Sequence, residues 1–356
     1  MPSIPHLRLA SQQIAQRRYT TPREVVAALG AIQAQDYAGA LWSIGLRLAE
    51  PTSETAVAQA IAERQIVRTW PMRGTLHFVA AEDVHWLLAL LAPRNIAAMA
   101  GRHKQLELDD TLLARCGGIF EEALQGGQAR TRAEMYALLE EKGVSAAGQR
   151  GYHILAWCAQ KRILCFGPQG GNEQTFVLLA EWVPPTAAPL PREVALGQIA
   201  LRYFTGHGPA TLLDFAGWTG LAMGEARAGL ASVAEQLAQM VVEGQTHWLA
   251  AGAQEGGTAA HYLLPGFDEY ILGYKARGAV LAAEHSQAIV PGGNGVFRPT
   301  MIADGQVVGV WKRTVKRGPV VVELAPFGAV GVDGWRERVG EYGRFLGLEG
   351  VVSDKD

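Results

Sequence analysis

The chain has few cysteines, no long apolar run and no strong excess of charge, and each shortage removes a class of protein. Its cysteines, Cys116, Cys158 and Cys165, are odd in number and lack Cys-x-x-Cys spacing, which argues against a disulfide framework and against a structural zinc site. No stretch approaches the roughly 18 uncharged apolar residues of a membrane span. The first residues, with Pro2, Pro5, His6 and Arg8, lack the apolar centre of a secretory signal, so a cytoplasmic protein is expected. A formal net charge of −2 supplies no overall basic field of the kind nucleic-acid binding exploits. Contacts to a phosphate backbone would have to come from local clusters such as Arg17-Arg18, Arg102-His103-Lys104, Lys161-Arg162 or Lys312-Arg313 with Lys316-Arg317. A P-loop, a dinucleotide-binding turn, a His-Glu-x-x-His motif and a nucleophile elbow are also missing.

What is present is a chain of 356 residues, 49% hydrophobic, long enough for two to four compact units. Three segments share one order of elements, the signature of an internal repeat. In the first, Thr21-Pro22-Arg23-Glu24 places an N-cap residue before a proline at the first helical position and opens a helix toward Leu29. A second helix is expected from Ser53 through Arg64, then two extended runs, Ile66 to Trp70 and Thr75 to Val79. The second copy opens on a capping box at Thr131-Arg132-Ala133-Glu134, continues as a helix from Gly148 to Gln160, and ends in runs Ile163 to Phe166 and Gln174 to Leu179. The third has a helix opening near Gly208-Pro209-Ala210-Thr211, another from about Met223 to Gln236, and strands around Glu243-Gly244-Gln245.

Helix, helix and hairpin in that order describe a winged helix-turn-helix, so an α+β chain with three tandem units is expected. A buried connecting helix from Ala81 to Lys104, rich in Leu and Ala on all sides, would follow the first unit. From His261 the composition turns to β-branched and aromatic runs, including Tyr270 to Tyr274, Val296 to Ile302 and Gln306 to Lys312, with Asp304-Gly305 as a hairpin turn. A C-terminal small β-barrel is expected there. The resulting domains are 1–104, 105–188, 189–258 and 259–356.

Four blocks carry a resemblance: Gln33-Ala34-Gln35-Asp36, the stretch Arg68 to His77, Leu264-Pro265-Gly266-Phe267-Asp268-Glu269-Tyr270 running on to Lys275, and Asn294 to Thr300. Together, and in this order, they resemble the AlkZ/YcaQ-type winged-helix DNA glycosylases over nearly the whole chain. The resemblance implies three winged helices wrapped around DNA, a β-barrel, and excision of N7-alkylated purines, with crosslinks unhooked in some members. It also implies that the Gln-x-Gln triplet is catalytic, with Gln33 and Gln35 as the catalytic residues. Double-stranded DNA carrying alkylated purines is the implied partner, no metal or organic cofactor is expected, and a monomer is expected.

Amides are poor acids and bases, but a base already cationic at N7 needs little acid catalysis to depart. What remains is to hold water near C1′, which an amide oxygen can do by accepting a hydrogen bond from it. Gln35 is assigned to that task with Gln33 as its partner, the reverse order remaining open. The bland alternative is that both side chains cap the end of the helix around Leu29. Trp42 is a candidate for stacking on a base, against the alternative of a core tryptophan. Arg73 and His77, at the first hairpin, are candidate phosphate contacts, as are Arg298 and the cluster Lys312, Arg313, Lys316 and Arg317; a strand histidine is otherwise a satisfied structural residue, and edge-strand lysines guard against aggregation. Asp268 and Glu269, adjacent in an expected strand, would face opposite ways, so one of them is expected to lock the β unit to a helix. The competing functions are a non-catalytic winged-helix regulator and a purely structural scaffold. The apolar second helix, with Val57, Ala58, Ala60 and Ile61, reads poorly as a reader of base edges.

Overall fold

A computed structural model describes residues 3–170, 173–185, 188–256, 261–315, 318–328, 331 and 333–353. After α1 (Ile4–Ser11), the first repeat runs α2 (Pro22–Leu29), β1 (Ile32–Gln33), α3 (Tyr37–Gly45), α4 (Glu54–Ala62) and a hairpin of β2 (Ile66–Met72) and β3 (Thr75–Ala80). A long helix, α5 (Val84–Gln105), leads to the second: α6 (Asp110–Leu124), β4 (Arg130–Thr131), α7 (Arg132–Glu141), α8 (Arg150–Gln160), β5 (Leu164–Gly170) and β6 (Glu173–Leu178). One turn of helix, α9 (Leu179–Trp182), precedes the third, α10 (Arg192–His207), α11 (Leu212–Thr219), α12 (Met223–Val233), β7 (Leu237–Val242) and β8 (Gln245–Ala250). In the first two repeats a short strand pairs with the hairpin's second strand, giving the orders β1-β3-β2 and β4-β6-β5. In the third, a single bridge between Ala210 and Trp248 stands in its place.

Local sequence explains most of these boundaries. Thr21 with Glu24, Thr131 with Glu134 and Thr211 with Asp214 all form capping boxes, each satisfying helix-start N–H groups that have no partner within the helix. The boxes open different elements, however: Thr21 starts the first helix of its repeat, whereas Thr131 and Thr211 start the second. The expected copies are therefore one helix out of step with one another, and α3 is a helix beyond those expected.

Two further expectations are corrected. The first half of α5 is mostly buried, but beyond Ala92 it is buried on one side at Asn95 and His103 while Pro93, Arg94, Ala97 and Gly101 are exposed. Among the described residues none of the helices is long and apolar enough to cross a membrane. The C-terminal part contains β9 (His261–Leu264), α13 (Glu269–Leu272), α14 (Ser286–Ile289), β10 (Thr300–Ala303), β11 (Gln306–Val315), β12 (Val320–Pro326), α15 (Asp333–Phe345) and β13 (Gly350–Val352). Its sheet has the order β13-β12-β11-β10-β9, so β9 and β13 are open edges among the described residues. It is a curled half-barrel with α15 against β9 and β13, not a closed barrel. The segment 270–274 is helical at its start because Asp268 caps it, accepting from the Tyr270 N–H at 2.9 Å.

Three apolar cores share the first hairpin. Phe78 and Ile66 belong to the core joining the first repeat to the C-terminal sheet; Val67, Met72 and Val79 belong to the one around α5 and α10; Trp70 and Leu76 belong to that of the second repeat. Alternation of side chains along β2 and β3 makes this sharing possible, and it places the short β1 strand where all parts of the molecule converge.

Candidate active site around Gln33 and Gln35

The triplet lies in the passage from β1 to α3. Gly30 ends α2 with φ +78, a backbone conformation that favours glycine, and faces Ile199 and Trp218 of the third repeat. The chain then pairs Ile32 with Phe78 and Gln33 with His77, and Ala34 N–H donates to Leu76 O at 2.7 Å. Arg68 of β2 closes the other side: its Nε and Nη2 donate to Ala34 O at 3.1 and 2.7 Å, and its Nη1 reaches Gln174 of the second repeat at 2.9 Å. The guanidinium lies over the rings of Tyr37 and Phe166, and burial lowers its pKa to about 10. Ala34, between the two glutamines, is thus held by three hydrogen bonds, leaving the flanking side chains little backbone freedom.

Gln33 is buried, and its surroundings are charged. Its N–H donates to Glu269 Oε1 at 3.0 Å, and its side-chain Oε1 accepts from Arg73 Nη2 at 3.3 Å. The same Nη2 lies 3.1 Å from His77 Nε2, and His77 Nδ1 lies 3.0 Å from Thr75 O. A guanidinium only donates, so His77 is neutral, protonated on Nδ1, with its Nε2 lone pair toward Arg73. Burial and the Arg73 charge push the His77 pKa down to about 3. Glu269 is fully buried. Burial alone would raise its pKa, but the hydrogen bond with His207 and the charge of Arg73 outweigh that and hold it at about 2. Its Oε2 accepts from Trp218 Nε1 at 2.8 Å and faces His207 Nε2 at 3.4 Å.

Gln35, by contrast, is exposed, and Leu76 N–H donates to its Oε1 at 3.4 Å. Neither glutamine caps α2, so the capping alternative is set aside. Asp36 is exposed and sits at the N-cap of α3 without a side-chain cap bond.

The adjacent carboxylates divide as their spacing implies, although on a helix start rather than a strand. Asp268 makes a bidentate, buried ion pair with Arg47 at 2.8 and 2.9 Å and accepts from Ser43 Oγ at 2.7 Å, locking α13 to the end of α3. Glu269 turns the other way, to Gln33.

The expected DNA contacts fall in different environments. Trp42 is a core residue: its Nε1 donates to Leu263 O at 2.8 Å and its ring meets Tyr342 and Phe345. His77 has no exposed surface, and Arg73 points inward. Arg298 is exposed. Lys312 is exposed and forms a surface ion pair with Glu323 at 3.1 Å, and Arg313 donates to Tyr342 Oη. Lys316 and Arg317 lie outside the described residues. Sequence reasoning missed Glu269, His207, Trp218 and Arg68 as parts of the site. The first three come from distant segments with nothing local to link them, although the block Phe267-Asp268-Glu269 was in view.

An amide pair on a pinned loop that opens to solvent at Gln35, backed by a buried carboxylate whose oxygens face protein donors, suits the positioning of water more than the transfer of protons. Comparisons with known proteins give the chain its class. The model of the family "DNA glycosylase AlkZ-like" matches residues 26–346; the chain belongs to that family and is a DNA glycosylase, an enzyme acting on N-glycosyl bonds. It is 29% identical over 328 residues to an interstrand DNA cross-link repair glycosylase from Streptomyces sahachiroi, covering 83% of this chain and 85% of that protein. Its fold matches the structure of Streptomyces sahachiroi DNA glycosylase AlkZ with a TM-score of 0.82 at 24% identity, over 99% of each chain.

Proposed function

We propose that this chain hydrolyses the N-glycosidic bond of N7-alkylated purines in double-stranded DNA, bulky adducts and interstrand crosslinks included, with the water held by Gln33 and Gln35. The observation that carries the reading is the division of labour in the triplet. Gln33 Oε1 is engaged by a cation, so the pole it offers outward is its NH₂. Among the described residues Gln35 Oε1 is met only by a long bond from Leu76 N–H, on an exposed side chain, so it can accept from water and direct that water's lone pair at C1′. Alkylation at N7 makes the purine a good neutral leaving group. The absence of general-base assistance, a factor of about 10²–10⁴, is tolerable for such a base and restricts the enzyme to it. No lysine stands in the triplet to form a Schiff base, so an abasic site is the product.

The three repeats are read as tandem winged helix-turn-helix units, in domains 1–104, 105–188 and 189–258 with the sheet unit at 259–356, binding duplex DNA as a monomer. Exposure of Gln35 and Asp36 favours an open site over a closed nucleobase cavity, and an open site is what a crosslinked lesion, tethered to the opposite strand, requires. The test is to incubate the protein with duplexes carrying N7-methylguanine and with a crosslinked duplex, and to identify products by mass. Free modified base and an abasic strand support the reading. Tight binding to both with no release from either returns the chain to a non-catalytic DNA-binding role.

A further inference from the structure

We infer that Arg73 is a positioning residue for Gln33, aimed inward to fix which pole of that amide faces the substrate, and not a phosphate contact. The inference rests on the glycosylase reading above. Arg73 occupies the hairpin tip with φ +55, followed by Gly74 at φ +73. Positive φ at both positions is the ordinary two-residue hairpin turn, repeated at Glu243-Gly244 and Asp304-Gly305, so the direction of the Arg73 side chain is set by its contacts. The two protons of Nη2 meet two acceptors, Gln33 Oε1 at 3.3 Å and His77 Nε2 at 3.1 Å. His77 is held to the accepting tautomer by its Nδ1 contact with Thr75 O. The buried Glu269 carboxylate attracts the guanidinium inward, and the Arg73 stem runs alongside Gly220 of the third repeat, within van der Waals reach of a Cβ at that position. Because a guanidinium has no acceptor, it can satisfy Gln33 only when the oxygen points in and the NH₂ points out. Removing it frees the amide to turn over and to wander among rotamers.

The test is a double-mutant cycle on single-turnover base release at saturating enzyme, with DNA affinity measured across a salt series. Arg73→Ala is expected to slow release by roughly tenfold to thirtyfold, the freedom regained by a long side chain, with affinity and salt slope unchanged. Combined with Gln33→Ala it is expected to add nothing to Gln33→Ala alone. Rate losses that multiply overturn the inference, and so does weaker binding with a salt slope reduced by about 1, the mark of a lost phosphate contact. Should Arg73→Ala fail to fold, Arg73→Lys keeps the charge beside Glu269 without the fork, and the same non-additivity is expected of it. Should the parent release no base, the glycosylase reading fails on its own, and the Gln33 NH₂ signals in an NMR spectrum still decide. A shift pattern distinct from free glutamine that collapses in Arg73→Ala or Arg73→Lys supports the inference, and one that does not change refutes it.

Discussion

The first and second repeats follow one path to one point and then part. Gln33 pairs with His77 on β3, as Thr131 pairs with Thr175 on β6. In the second repeat the next residue begins a helix, and Thr131 is consumed as its cap, accepting from the Glu134 N–H while Glu134 returns the bond. In the first, Ala34, Gln35 and Asp36 intervene before α3 begins at Tyr37, and the N-cap Asp36 makes no cap bond. The same scaffold position is therefore structural where a polar side chain satisfies its own backbone, and available for chemistry where a short loop carries it clear. Forgoing a side-chain cap costs about 1 kcal/mol; the first repeat recovers order through Arg68 and Glu269, which belong to no helix cap.

The comparison can be broken most sharply at the triplet. Replacing Gln33 and Gln35 together by alanine should slow base release by about 10²-fold or more, the scale of lost positioning, with DNA affinity retained; Thr131→Ala should leave the rate alone. Glu269→Ala should come next, as a loss of stability. It strands Trp218 Nε1, His207 Nε2, the Gln33 N–H and the Arg73 charge in the interior, a change worth about 3–5 kcal/mol for a broken buried ion network, readable by denaturant unfolding.

The pH dependence of stability sharpens the same point. Glu269 has its folded pKa depressed to about 2, below the ordinary carboxylate value, so its stabilisation is full above the unfolded value and is lost as pH falls toward 2. His77 is also depressed, to about 3 from 6.5; the unfolded chain takes up that proton first, so stability falls as pH drops from about 6.5 toward 3. His77→Asn should flatten the upper part of that slope and Glu269→Gln the lower part. Thr131→Ala should cost only about 1 kcal/mol, the ordinary value of a cap. Smallest of all, Asp36→Asn should change the rate by less than about twofold, since on this account the amides and not the neighbouring carboxylate hold the water; a larger loss would bring Asp36 into the chemistry.

Much of the architecture was legible because it is written locally. Capping boxes, hairpin glycines and short apolar runs marked helices and strands within a few residues, and the blocks at Gln33, Arg68 and Asp268 marked the family. What was not legible depends on long-range contacts. Trp42 looks the same in sequence whether it stacks on a base or on Phe345. Arg73 looks like a phosphate ligand until Gln33, His77 and Glu269 are seen around it. The partner of Gln33 stands 236 positions away, and no periodicity or spacing relates the two. The closure of the C-terminal sheet failed for a similar reason, because strand runs reveal their number better than they reveal whether the first and last meet.

The most direct measurement is the single-turnover rate of N7-methylguanine release from a defined duplex by the parent, Gln33→Ala, Gln35→Ala and the double variant, each at saturating protein and with DNA affinity determined alongside. The account predicts that release by the parent is lost progressively across the series, most in the double variant, while affinity holds within about twofold, as expected of groups that act on the transition state and not on binding. Release that persists in the double variant at the parent's rate would contradict it and move the water to some other part of the surface.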